Sequence, residues 1–360
     1  MRRRLWLAAA VLLLALAAWL MLRGGDELPA EKTVALPRAL RPAERERMQR
    51  RQTLASPAHP TPGPQRPRDP LLAALSTGAG KTALIIEANA IRNSPVGQLL
   101  IDCLARGEQG NPVELLKREL NVDVLQDLDR VAITPRGVIL SGNFGNAKWD
   151  QLMGDRATSS AYGEQGTVYS GPQRRTADGG SDQDVAARWG NGLVMLGSSA
   201  TDAHDSLDRI EGRTPSAPPL SEQQTYGEIY GVMSSDDLAR LFPREAKDLA
   251  NQLRRVADQV EIHVDTSSDV GLTATVRGST GSPDLEDLGK SLGGLLSLAR
   301  LKAQAEGDTA TSELLESARV LPHGSSFDLE LALPLKVLER ELAWCKDPKA
   351  HGPSQRVPPP

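Results

Sequence analysis

The chain has 360 residues, which is long enough for one large domain or two of ordinary size, and its net charge is −4. Residues 1–68 carry 13 Lys and Arg against 5 Asp and Glu, whereas residues 69–360 carry 29 against 41, so a basic N-terminal part precedes an acidic body. The acidic body argues against nucleic acid as a partner, and an aromatic content of 3% argues against stacking platforms for sugars or bases.

The N-terminus predicts a membrane anchor. Arginines at 2–4 precede an uncharged apolar run, Leu5–Leu22, which as a helix would span about 27 Å, close to the hydrocarbon thickness of a bilayer. The arginine excess before the run predicts that residues 1–4 are a cytoplasmic basic stub and that the body lies across the inner membrane, in the periplasm. A cleaved signal peptide is the alternative, although cleavage at Ala15–Ala17 would leave Trp19–Leu22 exposed on the mature N-terminus.

Two Pro-rich segments flank the body. Residues 23–70 are basic and rich in proline, a composition that cannot bury enough apolar surface to fold, and we expect a disordered linker there. Residues 348–360 end in three prolines and are expected to be a disordered tail. The body between them is divided by the prolines at 215, 218 and 219 into two predicted modules, 71–214 and 225–347.

The two predicted modules share one order of elements. Hydrophobic periodicity and turn signals predict, in chain order, a strand at 82–89, a helix from Pro95 with Ser94 as its N-cap, strands at 129–134 and 137–143, a helix at 146–153, a hairpin at 185–189 and 193–197, and a helix at 200–211. The second module repeats strand, helices and paired strands at 226–277, then a long helix to 306, a helix at 308–317, strands at 318–321 and 326–333, and a last helix to 345. This predicts an α+β fold with antiparallel sheets, helices on one face and two similar halves, in addition to one N-terminal transmembrane helix.

No motif predicts a catalytic, cofactor or metal site. The segment Thr77–Thr82 resembles a phosphate-binding loop but lacks the first glycine, and a helix before it and a strand after it reverse the required order. The acidic loop Asp178–Asp184 departs from the calcium-loop pattern. The five histidines never occur at metal-ligand spacing. No cofactor or small-molecule substrate is therefore identified, and an enzyme is not expected.

Two helices carry patterns with an ordinary structural explanation. Asp202, Asp205 and Asp208 predict a solvated acidic helix face rather than an acid–base pair. The long helix Asp284–Glu306 carries leucines that include Leu285, Leu288, Leu295, Leu298 and Leu301, for which we expect core packing; an oligomer or partner groove is the alternative.

The chain has two cysteines, Cys103 and Cys345. An oxidising compartment permits a disulfide between them, but each also falls on an apolar helix face where a reduced core thiol would fit. The sequence leaves both possibilities open.

Three segments resemble uncharacterised single-pass bacterial envelope proteins whose exported part repeats an α+β module. They are Ala90–Leu100, Leu125–Val131 and Leu193–Gly197. The resemblance implies a fold and carries no catalytic residues. Together with the anchor, it predicts a membrane-anchored extracytoplasmic binding or scaffolding protein of the bacterial envelope with a protein partner there. The alternatives are a hydrolase-like envelope enzyme with an unrecognised site and an accessory factor of a transport or secretion complex.

Overall fold

The structure, a computed structural model, describes most of the body. The described residues are 69–78, 81–105, 117–118, 121–148, 157–172, 174–175, 181–197, 199–217, 219–220, 224–240, 247–278 and 283–342. The predicted anchor at 5–22, nearly all of the linker at 23–70 and the tail at 348–360 lie outside these ranges. None of the helices within them is both long enough and apolar enough to cross a membrane.

The described residues contain helices that are mostly short. They are α1 Pro70–Ala74, α2 Ala88–Arg92, α3 Pro95–Ala105, α4 Ala200–Ile210, α5 Ser235–Ala239, α6 Lys247–Val256, α7 Pro283–Ala305, α8 Thr309–Glu316 and α9 Leu335–Glu341. Side chains just before the helices satisfy backbone N–H groups that have no partner within the helix. Ser94 accepts from the Gly97 N–H at 2.9 Å, which confirms the predicted cap, and Ser199, Ser234 and Asp308 cap later helices in the same way.

The strands make up most of the remaining regular structure. They are β1 Ala83–Glu87, β2 Leu128–Thr134, β3 Gly137–Gly142, β4 Thr158–Tyr162, β5 Gly166–Ser170, β6 Arg174–Arg175, β7 Ser181–Asp182, β8 Val185–Trp189, β9 Leu193–Gly197, β10 Ile229–Ser234, β11 Gln259–Asp265, β12 Val270–Arg277, β13 Ala318–Pro322 and β14 Ser326–Leu333. The chain is therefore α+β, as its short hairpins and its helices without a βαβ period predict.

The described residues fall into two compact units. The major unit comprises those within 69–233, 262–270 and 334–342, and the minor unit those within 234–261 and 271–333. A large sheet forms the major unit, with the strand order β10-β1-β2-β3-β9-β8-β5-β4. Every neighbouring pair in that order is antiparallel, which confirms the predicted sheet type.

The core of the major unit lies between its sheet and the helices α1 and α4. Leu71, Leu75, Ile85, Leu193 and Leu207 are each at most 2% exposed and belong to one hydrophobic cluster. Burial of each such side chain contributes about 1.5–3 kcal/mol relative to leaving it exposed. Apolar contacts of this kind fix α4 on strands β5, β8 and β9.

One glycine shows how closely two strands approach. Gly137 starts β3 at a φ of +148°, and a Cβ there would lie 2.1 Å from the Leu196 carbonyl oxygen on β9. No other residue type fits without moving one of the strands. Glycine at 137 therefore allows β3 to start this close to β9.

The minor unit packs α7 on a short sheet. Its strands follow the order β13-β14-β12-β11, with β13 antiparallel to β14. Leu285 and Leu288 on α7 and Phe327 on β14 are at most 1% exposed. A Cβ on Gly289 would lie 3.0 Å from the Phe327 Cβ, so the missing side chain lets this part of α7 lie close to the strand.

Several predicted boundaries differ from the structure. The strand predicted at 82–89 ends at Glu87, because the chain turns at once into α2, where Arg92 donates to the Leu128 carbonyl at 3.2 Å. Residues 146–148 are not helical, and the rest of the helix predicted at 146–153 lies outside the described residues. Strand β4 was not predicted, because its residues are mostly exposed and polar and show no alternation.

Cys103 on α3 is disulfide-bonded, which decides between the two possibilities that the sequence leaves open. The only other cysteine of the chain, Cys345, lies outside the described residues. Helix α9, which ends four residues before Cys345, packs against α3. Disulfides persist in oxidising compartments and are rare in the cytosol.

Candidate functional site

The elements that flank the segment Thr77–Thr82 are those of an ordinary connecting loop, not those of a phosphate-binding loop. Helix α1 precedes it and strand β1 follows it, whereas a phosphate loop follows a strand and opens a helix. Both elements are of the type that the sequence predicts. Residues 178–180 of the acidic loop Asp178–Asp184 lie outside the described residues, and Ser181–Asp182 form β7.

The three aspartates of α4 differ in their environment. Asp202 accepts from Arg136 at 2.7 Å, and Asp208 accepts from Arg213 at 2.7 Å and from the Tyr162 hydroxyl at 3.1 Å. Burial, reinforced by the hydrogen bond to Asp208, raises the pKa of Tyr162. Only Asp205 is exposed, so the interpretation as a solvated face is wrong for the other two residues. They are partners of arginines.

Two of the three described histidines stack on tyrosines, and the third, His323, lies 3.3 Å from Asp328. His204 stacks on Tyr162 with ring centroids 4.1 Å apart, and His263 stacks on Tyr226 at 3.7 Å. Across the described part of the chain, no three His, Cys, Asp or Glu side chains converge closely enough to hold a metal ion.

A leucine face on α7 is the most prominent surface feature of the minor unit. It consists of Leu295, Leu298 and Leu301, which are 57%, 63% and 59% exposed. At three-residue spacing they lie within about 120° of arc on one side of the helix. Single exposed leucines are common, but three adjacent ones on a helix are typical of an interaction surface.

Arg300 fixes the rotation of α7 that exposes this face. Its Nε donates to the Leu315 carbonyl at 2.9 Å, and its guanidinium also donates to the Ala318 carbonyl. Both bonds run toward α8 and β13, on the side of the helix where Ala303 is buried. The leucine face therefore points away from α8 and β13.

Charged and small residues surround the leucine face. Lys290 pairs with Glu286 at 2.9 Å, and this hydrogen bond raises the pKa of Lys290. Lys302 lies 3.7 Å from Glu306, and a Cβ on Gly294 would meet no atom within 4 Å. A polar rim around an apolar centre is the usual composition of a protein–protein interface.

Comparison with protein-family models, curated proteins and solved structures finds no match to this chain. The functional interpretation therefore depends on the sequence and on the geometry of the site.

The expectation of core packing is wrong for Leu295, Leu298 and Leu301. The leucines of α7 cover too wide an arc for one face: Leu285 and Ala303 share the buried side, whereas Leu298 and Leu301 lie about 140–160° from it on the helical wheel. An apolar arc wider than one face is the signal that could have indicated a second contact surface.

Proposed function

We propose that this chain is a membrane-anchored extracytoplasmic scaffolding protein of the bacterial envelope that associates with a protein partner through the leucine face of α7. The exposure of Leu295, Leu298 and Leu301 carries the proposal. A face of this kind is costly in water unless it is covered for part of the time.

Localisation is proposed from the sequence and supported by the disulfide. In this proposal Leu5–Leu22 spans the inner membrane once, and the body stands in the periplasm at the end of the Pro-rich linker. The disulfide at Cys103 supports an oxidising compartment. The same proposal includes two similar halves, helices on one face of the sheets and a resemblance to single-pass envelope proteins.

We assign the leucine face to a second copy of the chain, packed antiparallel. The spacing is symmetric about Leu298, so an antiparallel pair places Leu298 against Leu298 of the second copy and Leu295 against its Leu301. Lys302 then lies over Gly294, where the space beyond the backbone is open. A parallel pair would instead place Lys302 beside Lys302 of the second copy.

The leucine face is expected to form a weak dimer between chains that are free in solution. Its affinity is expected to suffice for dimers between chains anchored in one membrane. Covering the exposed part of one leucine contributes about 1–2 kcal/mol, so six leucines contribute roughly 6–12 kcal/mol. Association costs about 4–15 kcal/mol in lost freedom, which leaves a weak dimer in solution. Anchors in one membrane raise the effective concentration into about the millimolar range, where a weak dimer forms.

The leucine face is tested with Leu298→Cys in the full chain, in its native membrane. Because the described part of the chain holds no free cysteine, the new thiol is expected to form a disulfide-linked dimer with its own copy under mild oxidation. The measurement is a non-reducing gel. The control is Glu313→Cys on α8, which is exposed but off the face and is expected to stay monomeric.

A charge substitution gives an independent readout. Leu298→Glu places two carboxylates side by side in the dimer, and we expect recovery of a differently tagged second copy to fall at least about tenfold. Ser297→Glu adds the same charge beside the face and should retain most of the recovery. A cross-link from position 298 to a different envelope protein would show that this protein, and not a second copy, is the partner. The absence of any cross-link would contradict the proposed function.

A further inference from the structure

A cleft in the major unit lies along one side of α4. It is bounded by α1, β3 and β9 and is open to solvent; its volume of about 440 Å³ includes the open part. Its polar lining includes Arg136, Asp202, Ser206, Arg209 and Ser76.

Arg209 is a buried cation without a carboxylate partner among the described residues. The residue is 8% exposed, and its Nη2 donates to the Ala74 carbonyl at 2.8 Å and to the Ser206 hydroxyl at 2.9 Å. Its Nε is buried and has no acceptor within the described structure. A buried donor that is left unpaired costs about 1–3 kcal/mol. Burial also lowers the pKa of Arg209, although the negative charge of Asp205 acts to raise it.

The acid that lines the cleft is already engaged. Asp202 accepts from Arg136 at 2.7 Å and from the Ser199 hydroxyl at 2.7 Å, so the charges of Asp202 and Arg136 offset each other. The charge of Arg209 remains without an ion-pair partner in the described cleft. An anion bound there would supply the missing charge.

We propose that this cleft binds an oxyanion, the carboxylate or phosphate group of a small ligand, with Arg209 as its principal contact. Guanidinium donors match the oxygen spacing of both groups, and charge-assisted hydrogen bonds are about twice as strong as neutral ones. The Ser206 hydroxyl, which accepts from Arg209, has its own proton available for a second bond. The site belongs to the major unit and does not depend on the leucine face.

The test compares anions at equal ionic strength by thermal unfolding of the full chain in detergent. At 20-fold excess over the dissociation constant, inorganic phosphate or acetate is expected to raise the melting temperature by about 2–4 °C, whereas chloride should not. The relative size of the phosphate and acetate shifts shows which oxyanion the site prefers.

Substitutions assign the effect to Arg209. Arg209→Met should abolish the shift, and Arg209→Lys, which keeps the charge but not the planar donors, should reduce it. Arg254→Met is the matched control, since it removes one arginine from α6 in the minor unit and should retain the full shift. Hydrogen exchange on the wild-type chain gives a readout that needs no variant: phosphate should slow exchange around Ala74 and Ser206.

Three outcomes would overturn the oxyanion site. The first is a wild-type chain with no shift and no slowed exchange in phosphate or acetate. The second is an equal shift in chloride, which would indicate a general salt effect. The third is an Arg209→Met variant that keeps the shift.

Discussion

Reduction of the Cys103 disulfide is expected to lower the free energy of unfolding of the full chain by about 5 kcal/mol. We expect Cys345, the only other cysteine, to be the partner. Such a cross-link closes a loop of about 240 residues, and the loop-closure entropy removed from the unfolded chain grows with loop length. The measurement is urea unfolding with and without a phosphine reductant.

The variant Cys103→Ser provides the control for reductant effects. It should unfold at the same lowered urea concentration as the reduced wild-type chain and should not respond to the reductant. In intact cells, maleimide labelling should modify the wild-type chain only after reduction, as expected for an oxidising compartment. Labelling without reduction, or equal urea midpoints for all samples, would show that the bond is absent or does not stabilise the fold.

Local signals in the sequence predict the elements of this fold well. The hairpin formed by β8 and β9 has the predicted bounds, because Gly190-Asn191-Gly192 provides the turn between two apolar runs. Ser94 caps the helix that it is predicted to cap. These features depend on residues within a few positions of each other, where the pattern determines the conformation.

Both functional surfaces depend on contacts between distant parts of the chain. The 3.6-residue period shows that Leu295, Leu298 and Leu301 share a face, but not that α8 and β13 cover the opposite one. Arg209 is buried because its side chain reaches the Ala74 carbonyl, 135 positions away. A charged residue near the end of an amphipathic helix otherwise predicts exposure.

Arg130→Met is expected to destabilise the major unit by about 3 kcal/mol. Arg130 on β2 donates to both carboxylate oxygens of Asp69, with Nη2 and Oδ1 3.0 Å apart, and it lies opposite Glu87 on β1. The side chains of Arg130 and Asp69 are 22% and 30% exposed. Removal of the arginine leaves two partly buried carboxylates without their shared cation.

The neighbours of the pair make its loss costly. Asp69 also accepts from the Leu71 N–H at 3.0 Å as the N-cap of α1, and the Tyr230 hydroxyl donates to Glu87 at 2.7 Å. Burial together with that hydrogen bond raises the pKa of Tyr230. Arg130 thus links the start of α1 to strands β1, β2 and β10. The double variant Asp69→Asn, Arg130→Met should recover part of the loss, because no unpaired charge then remains at residue 69.

The pH dependence of the Arg130 effect has a defined sign. Burial alone would raise the pKa of Asp69, but the hydrogen bonds and charge of Arg130 outweigh it and lower that pKa below its ordinary value of 3.8. A carboxyl whose folded pKa is depressed stabilises the fold above its unfolded pKa and loses this contribution as the pH falls through the folded value. The wild-type advantage over Arg130→Met should therefore be full at pH 6 and shrink below about pH 4.

Urea unfolding of the two full-length chains between pH 3 and pH 7 measures this difference. Arg254→Met is the matched control, since its partner Asp236 lies 3.4 Å away and is 74% exposed, and a surface pair of this kind contributes about 0–1 kcal/mol. A pH-independent difference between Arg130→Met and the wild-type chain would assign the effect to lost packing of the arginine stem. A difference that shrinks in acid, and that the double variant partly removes, assigns it to the ion pair that joins α1 to the sheet.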